Sequence, residues 1–211
     1  FRENIKRYVE TELKPYAYEW DEAGDFPWRI HEELGAMGYF GFGISEDYGG
    51  LGFEDAFMRA AAAEEMARCG ATGISAGVGG RMISIGPIQD HASEEIRSRV
   101  LEDIVMGRKG SCLAITEPGG GSDVANLQTT AVRDGDDYVL NGSKTFITGG
   151  MKGDYFVVGA RTGDAGLLGL LLFADCMSPP VFTVYGPLQW VPTLELSVQL
   201  RARPAPGRRW L

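Results

Sequence analysis

The sequence predicts an α+β protein, an all-α helical N-terminal domain over residues 1–109 followed by a small antiparallel β-barrel or sandwich over 110–173. Three observations predict it. Apolar residues recur at helical spacing up to Lys109, short apolar or alternating segments follow Gly110, and turn-forming residues separate those segments.

The first helix is marked by Ile5, Tyr8, Val9 and Leu13, with charged residues between them. Pro15 and the 21–27 stretch then interrupt the helical pattern. A second helix is expected from about Pro27 through Met37, with Gly38 suited to its end. The glycines between Gly41 and Gly52 predict a loop with unusual backbone angles. A third helix spans Glu54 to Arg68. Its Glu64-Glu65 pair reads as a solvated face, because adjacent helical residues do not face each other, and Met58 and Met66 read as core. Gly73 to Gly80 stays unassigned. Ser93 is an N-cap candidate for a helix carrying Ile96, Val100, Leu101, Ile104 and Val105, which stops near Gly107.

The expected strand segments are Ser111–Thr116, Gln128–Arg133, Tyr138–Leu140, Thr145–Thr148, Tyr155–Arg161 and Leu167–Phe173. Asp134-Gly135-Asp136-Asp137 is a hairpin-turn signal between the second and third. Residues 174–211 are rich in Pro and Arg, keep no period, and are expected to form an aberrant, poorly ordered tail.

Composition narrows the function. The chain has 211 residues with 29 acidic against 20 basic side chains, a net charge of −9 that opposes binding to nucleic acid. Its three cysteines are odd in number and far apart, against a disulfide framework or zinc site and in favour of a reducing compartment. His31 and His91 read as surface or helix-end residues, and no metal is expected. No stretch is apolar and long enough to span a bilayer. The N-terminus shows no signal-peptide layout, and the chain reads as beginning inside a helix.

The strongest local feature is Thr116-Glu117-Pro118-Gly119-Gly120-Gly121-Ser122-Asp123, directly after a strand. Its glycines allow close backbone approach to a ligand, and its successive N–H groups suit an anion. It lacks the lysine of a P-loop and the crossover helix of a dinucleotide fingerprint. Alone it is equally a surface turn. The second feature is Asn141-Gly142-Ser143-Lys144-Thr145-Phe146-Ile147-Thr148. Here alternation puts Phe146 and Thr148 on one strand face, an aromatic and a hydroxyl for a flat ring and its edge. Alone it is an ordinary half-buried strand.

Together, the run Leu113 to Asp123 and the run Asn141 to Thr148 resemble the signature of FAD-dependent acyl-CoA dehydrogenases. Glu46-Asp47-Tyr48-Gly49-Gly50-Leu51-Gly52 and Ser93-Glu94-Glu95-Ile96-Arg97 add to the resemblance, which covers about Phe1 to Phe173. It implies an FAD site in which Leu113, Ile115 and Thr116 line the flavin and Thr116 donates to its pyrimidine side. Gly121 and Ser122 approach the pyrophosphate and the acyl-CoA thioester. Phe146 packs on the ring where the family often has Trp, and Ile147 and Thr148 run along its edge, Thr148 near N5.

The implied reaction is α,β-dehydrogenation of an acyl-CoA to a trans-2-enoyl-CoA, a step of fatty acid β-oxidation. Electron-transfer flavoprotein would be the electron partner in a homo-oligomer located in the cytoplasm, or in the mitochondrial matrix of a eukaryote. The family's catalytic glutamate lies in a C-terminal helical domain, so no catalytic residue is assigned within these 211 residues. The local carboxylates Glu46, Glu117 and Asp123 read as loop-shaping and capping groups. The chain is expected to be truncated, with the tail from a frameshift or a truncated reading frame, and inactive alone. The alternatives are a non-catalytic FAD-binding remnant and an acyl-CoA oxidase-type flavoenzyme.

Overall fold

The computed structural model describes residues 1–135 and 137–162 together with the backbone of 171–175 and 193–194. The expectation for the tail therefore falls outside the described residues, apart from the strand positions named below.

Helix α1 (Arg2–Tyr8) continues as a π-helical turn over Val9–Leu13. Then come α2 (Ala17–Ala23), α3 (Arg29–Ala36), α4 (Ala56–Ala67), α5 (Thr72–His91) and α6 (Glu94–Val105). Local chemistry sets their ends. Asp55 accepts from the backbone N–H groups of Phe57 and Met58 to cap α4, and Ser93 accepts from Ile96 N to cap α6. Gly24 and Gly107, both with positive φ, stop α2 and α6. The glycine loop has positive φ at Gly43, Gly49 and Gly52, as its composition predicts.

Helix α5 is the main surprise. Its 20 residues absorb the unassigned Gly73–Gly80 run and carry Pro87 inside. Glycine costs about 1 kcal/mol per helical position relative to alanine, so this helix depends on packing rather than propensity. Ile74, Val78, Ile85 and Ile88 bury its inner face.

The strands are β1 (Ser111–Ala114), β2 (Thr130–Asp134), β3 (Asp137–Asn141), β4 (Lys144–Thr145), β5 (Tyr155–Gly159), β6 (Leu171–Asp175) and β7 (Thr193–Leu194). The expected hairpin forms, with Asp134 opposite Asp137. The β5–β6 and β4–β7 pairs are also antiparallel. One pair corrects the all-antiparallel expectation: β1 runs parallel to β5, with Ser111 opposite Tyr155. The connection that makes this possible is the long excursion through β2, β3 and β4 rather than a crossover helix.

The helical and β parts share one core. Tyr155 and Val157 of β5 are buried in the same cluster as Ile5, Val9, Ile30, Leu34, Val78, Leu101 and Ile104. The seam is also tied by polar contacts. Ser111 Oγ lies 2.7 Å from Ser84 Oγ, and Gly110 N donates to Asp154 Oδ2 at 2.7 Å. A Cβ on Gly110 would meet Lys152 O at 2.4 Å, so only glycine fits where the chain passes from helix to sheet.

Two surface expectations are corrected. Glu65 is buried, and its carboxylate pairs with Arg2 and Arg68 at 2.8 Å each, whereas Glu64 stays exposed. His31 is buried beneath Phe26 and Trp28, with ring centroids 5.3 and 4.5 Å away.

Candidate functional site

The two sequence motifs meet through β4. Thr145 N donates to Thr116 O at 2.9 Å, so the end of the first motif's strand lies against the second motif. Gly121 folds back onto Thr116, and a Cβ there would sit 3.2 Å from Thr116 Cγ2. Thr116 and Gly121 thus lie together beside the end of β4, with Ser122 next to Gly121 in the chain.

The structure shortens β4 to two residues and so corrects the expected alternation. Phe146 has φ of 56°, a left-handed backbone that ends the strand. Its ring is 63% exposed, Ile147 is buried, and Thr148 is exposed. Phe146 and Thr148 still share one site, because the turn rather than a strand face carries both into the same cavity.

That cavity has a volume of about 520 Å³ and lies between the helices and the β part. One wall is the 146–152 segment. The opposite wall is the glycine face of α5, from Gly73 through Gly77 to Gly80, and Trp20, Phe26 and Trp28 supply apolar surface. The glycines make the approach possible: a Cβ on Gly77 would meet the Phe26 ring at 2.7 Å, and one on Gly80 would meet Thr148 Cγ2 at 2.8 Å. The pattern Gly73, Gly77, Gly80 is a helical repeat of small residues, the signal that would have found this wall in the sequence.

Arg81 and His31 also line the cavity, and neither carries a site signal in the sequence. The Arg81 guanidinium lies 4.3 Å from the Trp28 ring centroid and donates to Lys109 O. Burial lowers its pKa to about 10. Burial, followed by the neighbouring Arg81 charge, pushes His31 down to about 4, so the imidazole is neutral at pH 7. At the rim, Lys152 pairs with Asp25 and holds that carboxyl below its ordinary range.

A second cavity of about 340 Å³ runs along the glycine loop and is lined by Glu117 to Gly120, Asp123 and Gly142-Ser143. Gly119 and Gly120 face open space, where even a Cβ would meet nothing within 4 Å. Beneath the loop, Glu117 is buried, and its carboxylate accepts from Lys144 Nζ at 2.8 Å, Thr129 N at 2.8 Å, Gln128 N and Thr129 Oγ1. Burial alone would raise its pKa, but Lys144, Thr129 and the two backbone donors outweigh that and hold it at about 2.

The remaining expected site residues lie differently. Leu113 packs against the helical core, and Ile115 Cδ1 would be 2.8 Å from a Cβ on Gly159. Both side chains are half-buried against protein. Ile115 O is already taken by Lys144 Nζ at 2.9 Å.

Residues 1–108 match the family model described as acyl-CoA dehydrogenase, N-terminal domain, and residues 112–189 match that of the middle domain. A short-chain specific acyl-CoA dehydrogenase of Clostridium acetobutylicum is 37% identical over 162 residues, which are 76% of this chain and 42% of the relative. Among solved structures, an acyl-CoA dehydrogenase from Geobacillus kaustophilus superposes with a TM-score of 0.77 at 30% identity, over 96% of this chain and 55% of its own. A glutaryl-CoA dehydrogenase from Mycobacterium smegmatis, in complex with FADH2, superposes with a TM-score of 0.75 at 27% identity, over 96% of this chain and 52% of its own. The chain spans 37% to 43% of the length of the first curated relatives it matches. Two family models in sequence order, covering both the helical part and the β part around the paired motifs, identify the chain as a member of the acyl-CoA dehydrogenase family.

Proposed function

We propose that this chain is the helical and flavin-holding portion of an FAD-dependent acyl-CoA dehydrogenase. The observation that carries the reading is the Thr145 N to Thr116 O hydrogen bond, which brings the two motifs side by side. The residues fit a flavin. Phe146 offers an exposed ring on a left-handed backbone, Thr148 lines the same cavity with a hydroxyl, and Thr116 and Ser122 carry hydroxyls on the neighbouring motif. The open glycines 119 and 120 leave room for a diphosphate close to backbone N–H groups.

Bound FAD supplies the acceptor for a hydride leaving the acyl chain. The chain's own residues bind and orient. Phe146 and Ile147 give an apolar platform, and Thr116 and Thr148 donate to polar ring atoms, where fixed donors stabilise the charge that builds on reduction. Gly121 and Ser122 take the phosphate side, with Ser122 also reaching the acyl-CoA. Leu113 and Ile115 shape the floor. The apolar wall of Trp20, Phe26 and Trp28 excludes water.

Proton removal beside the thioester needs a positioned base. Among the described residues the carboxylates that line this cavity are Asp21 and Asp25, neither is assigned that role, and Lys152 holds Asp25 below its ordinary pKa, which weakens it as a base. A positioned general base contributes about 10²–10⁴-fold, so the chain alone binds flavin without useful turnover. Electron-transfer flavoprotein is the proposed acceptor for the complete enzyme, and acyl-CoA thioesters its substrates.

The test is to incubate the purified chain with FAD, separate it by gel filtration, and then assay dye reduction by acyl-CoA esters of different lengths. Flavin co-eluting with the protein, without dye reduction, is expected. Elution free of flavin overturns the binding role, and turnover within tenfold of an intact relative overturns the division of labour.

A further inference from the structure

We propose that Glu117 and Lys144 are a positioning pair for the flavin: a buried ion pair that sets the spacing between the two segments that hold it. The proposal rests on the flavin reading above. Lys144 is wholly buried and Glu117 is 8% exposed. Lys144 Nζ donates to Glu117 Oε1 at 2.8 Å and to Ile115 O at 2.9 Å. Glu117 also gathers Thr129 N at 2.8 Å, Gln128 N and Thr129 Oγ1. Three segments distant in sequence, 115–117, 128–129 and 144–145, therefore converge on one carboxylate and one ammonium. The Thr145 N to Thr116 O bond lies beside them.

The placement explains why charge is used here. Swapping a buried ion pair for apolar side chains of similar volume is often neutral or stabilising, so stability does not account for this one. An apolar contact tolerates sliding. A carboxylate met by four donors fixes direction and distance together. Thr116 is next to Glu117 in the chain, and Phe146 and Thr148 follow Lys144 by two and four residues. Any slip of β4 against the end of β1 moves the Thr116 hydroxyl relative to Phe146 and Thr148. Neither member of the pair lines the cavity that Phe146 and Thr148 share, so towards the ring both act through their neighbours, although Glu117 also borders the cavity along the glycine loop.

A comparison of matched variants tests this. Lys144→Met removes the ammonium and keeps the side chain's length. Glu65→Gln, at a buried carboxylate in α4 that pairs with the half-exposed Arg2 and Arg68, serves as a control for the general cost of disrupting an ion pair on a buried carboxylate. Each is read by Tm, by FAD affinity, by the visible circular dichroism of bound flavin, and by amide exchange at Thr145 and Gly120. We expect both variants to lose Tm, but only Lys144→Met to weaken FAD tenfold or more, change the flavin dichroism and speed exchange at those two amides. Should Lys144→Met fail to fold, Glu117→Gln, which keeps the shape and one carbonyl acceptor, gives the same readouts. Lys144→Met or Glu117→Gln flavin behaviour matching Glu65→Gln overturns the proposal. Should the unaltered chain take up no FAD, the flavin reading itself falls. Amide exchange then decides: faster exchange confined to Thr145 and Gly120 supports the spacing role, and unchanged exchange there overturns it.

Discussion

Gly80 and Thr148 touch across the seam of the molecule: a Cβ placed on Gly80 would stand 2.8 Å from Thr148 Cγ2 and 3.4 Å from its Cβ. A helix of the first part thus sets the rotamer of a candidate flavin donor in the second. Threonine is stiff at χ1, so a methyl pressed from one side fixes the hydroxyl on another.

Gly80→Ala should therefore separate stability from binding. Alanine favours the helix by about 1 kcal/mol, while the clash forces Thr148 to rotate or retreat. We expect Tm to change little and FAD affinity to fall several-fold, measured by flavin fluorescence titration. Unchanged affinity would show that the Thr148 rotamer does not matter to the flavin.

Phe146 carries backbone strain in the same site. A left-handed conformation costs a non-glycine residue about 1–2 kcal/mol, and here the strained residue presents an exposed ring. Phe146→Gly should stabilise the flavin-free chain by up to about 1 kcal/mol, as the relief of strain exceeds the added freedom of the unfolded chain. It should also lose the ring platform and bind FAD more weakly. Denaturant unfolding without flavin reads the first effect, and a drop in stability would contradict it.

His31 gives the protein a dependence on mild acid. Its pKa is pushed down to about 4 in the fold, against 6.5 for a free imidazole. The unfolded chain therefore takes up this proton first. The neutral buried ring contributes its full stability above about pH 6.5, and that contribution fades as pH falls towards 4, by about 3 kcal/mol at most. The carboxyl of Glu117 acts in a lower window, from its ordinary value of 4.5 down to about 2. We expect Tm to fall between pH 7 and 4.5 and the slope to flatten in His31→Phe, which keeps a flat ring against Trp28. Parallel slopes in the two proteins would remove His31 from the account.

Much of this arrangement is legible in the sequence where a single local signal decides. Ser93 caps α6 through its own hydroxyl, Asp134 to Asp137 closes a hairpin, and positive φ falls on glycines of the 41–52 loop. What is illegible depends on distant partners. Helix α5 hides because glycines read as breakers until Phe26 and Thr148 are seen to need the space they leave. Glu65 and Lys144 carry charges that a sequence assigns to solvent, and distant partners, Arg2 for Glu65 and Glu117 with Ile115 O for Lys144, help make their burial tolerable. The end of β4 hides for the opposite reason. Phe146-Ile147-Thr148 has strand-forming residues, and the left-handed turn at Phe146 goes against that propensity.

The most direct measurement of the central claim is an equilibrium titration of FAD into the unaltered chain, Thr148→Val and Ser122→Ala, followed by quenching of flavin fluorescence. Each lost hydrogen bond to a neutral group is worth about 0.5–1.5 kcal/mol, or about 2- to 12-fold in Kd. We expect saturable binding to the unaltered chain and weaker binding of that size in each variant. Identical affinities in all three would contradict the assignment of the flavin to these two segments.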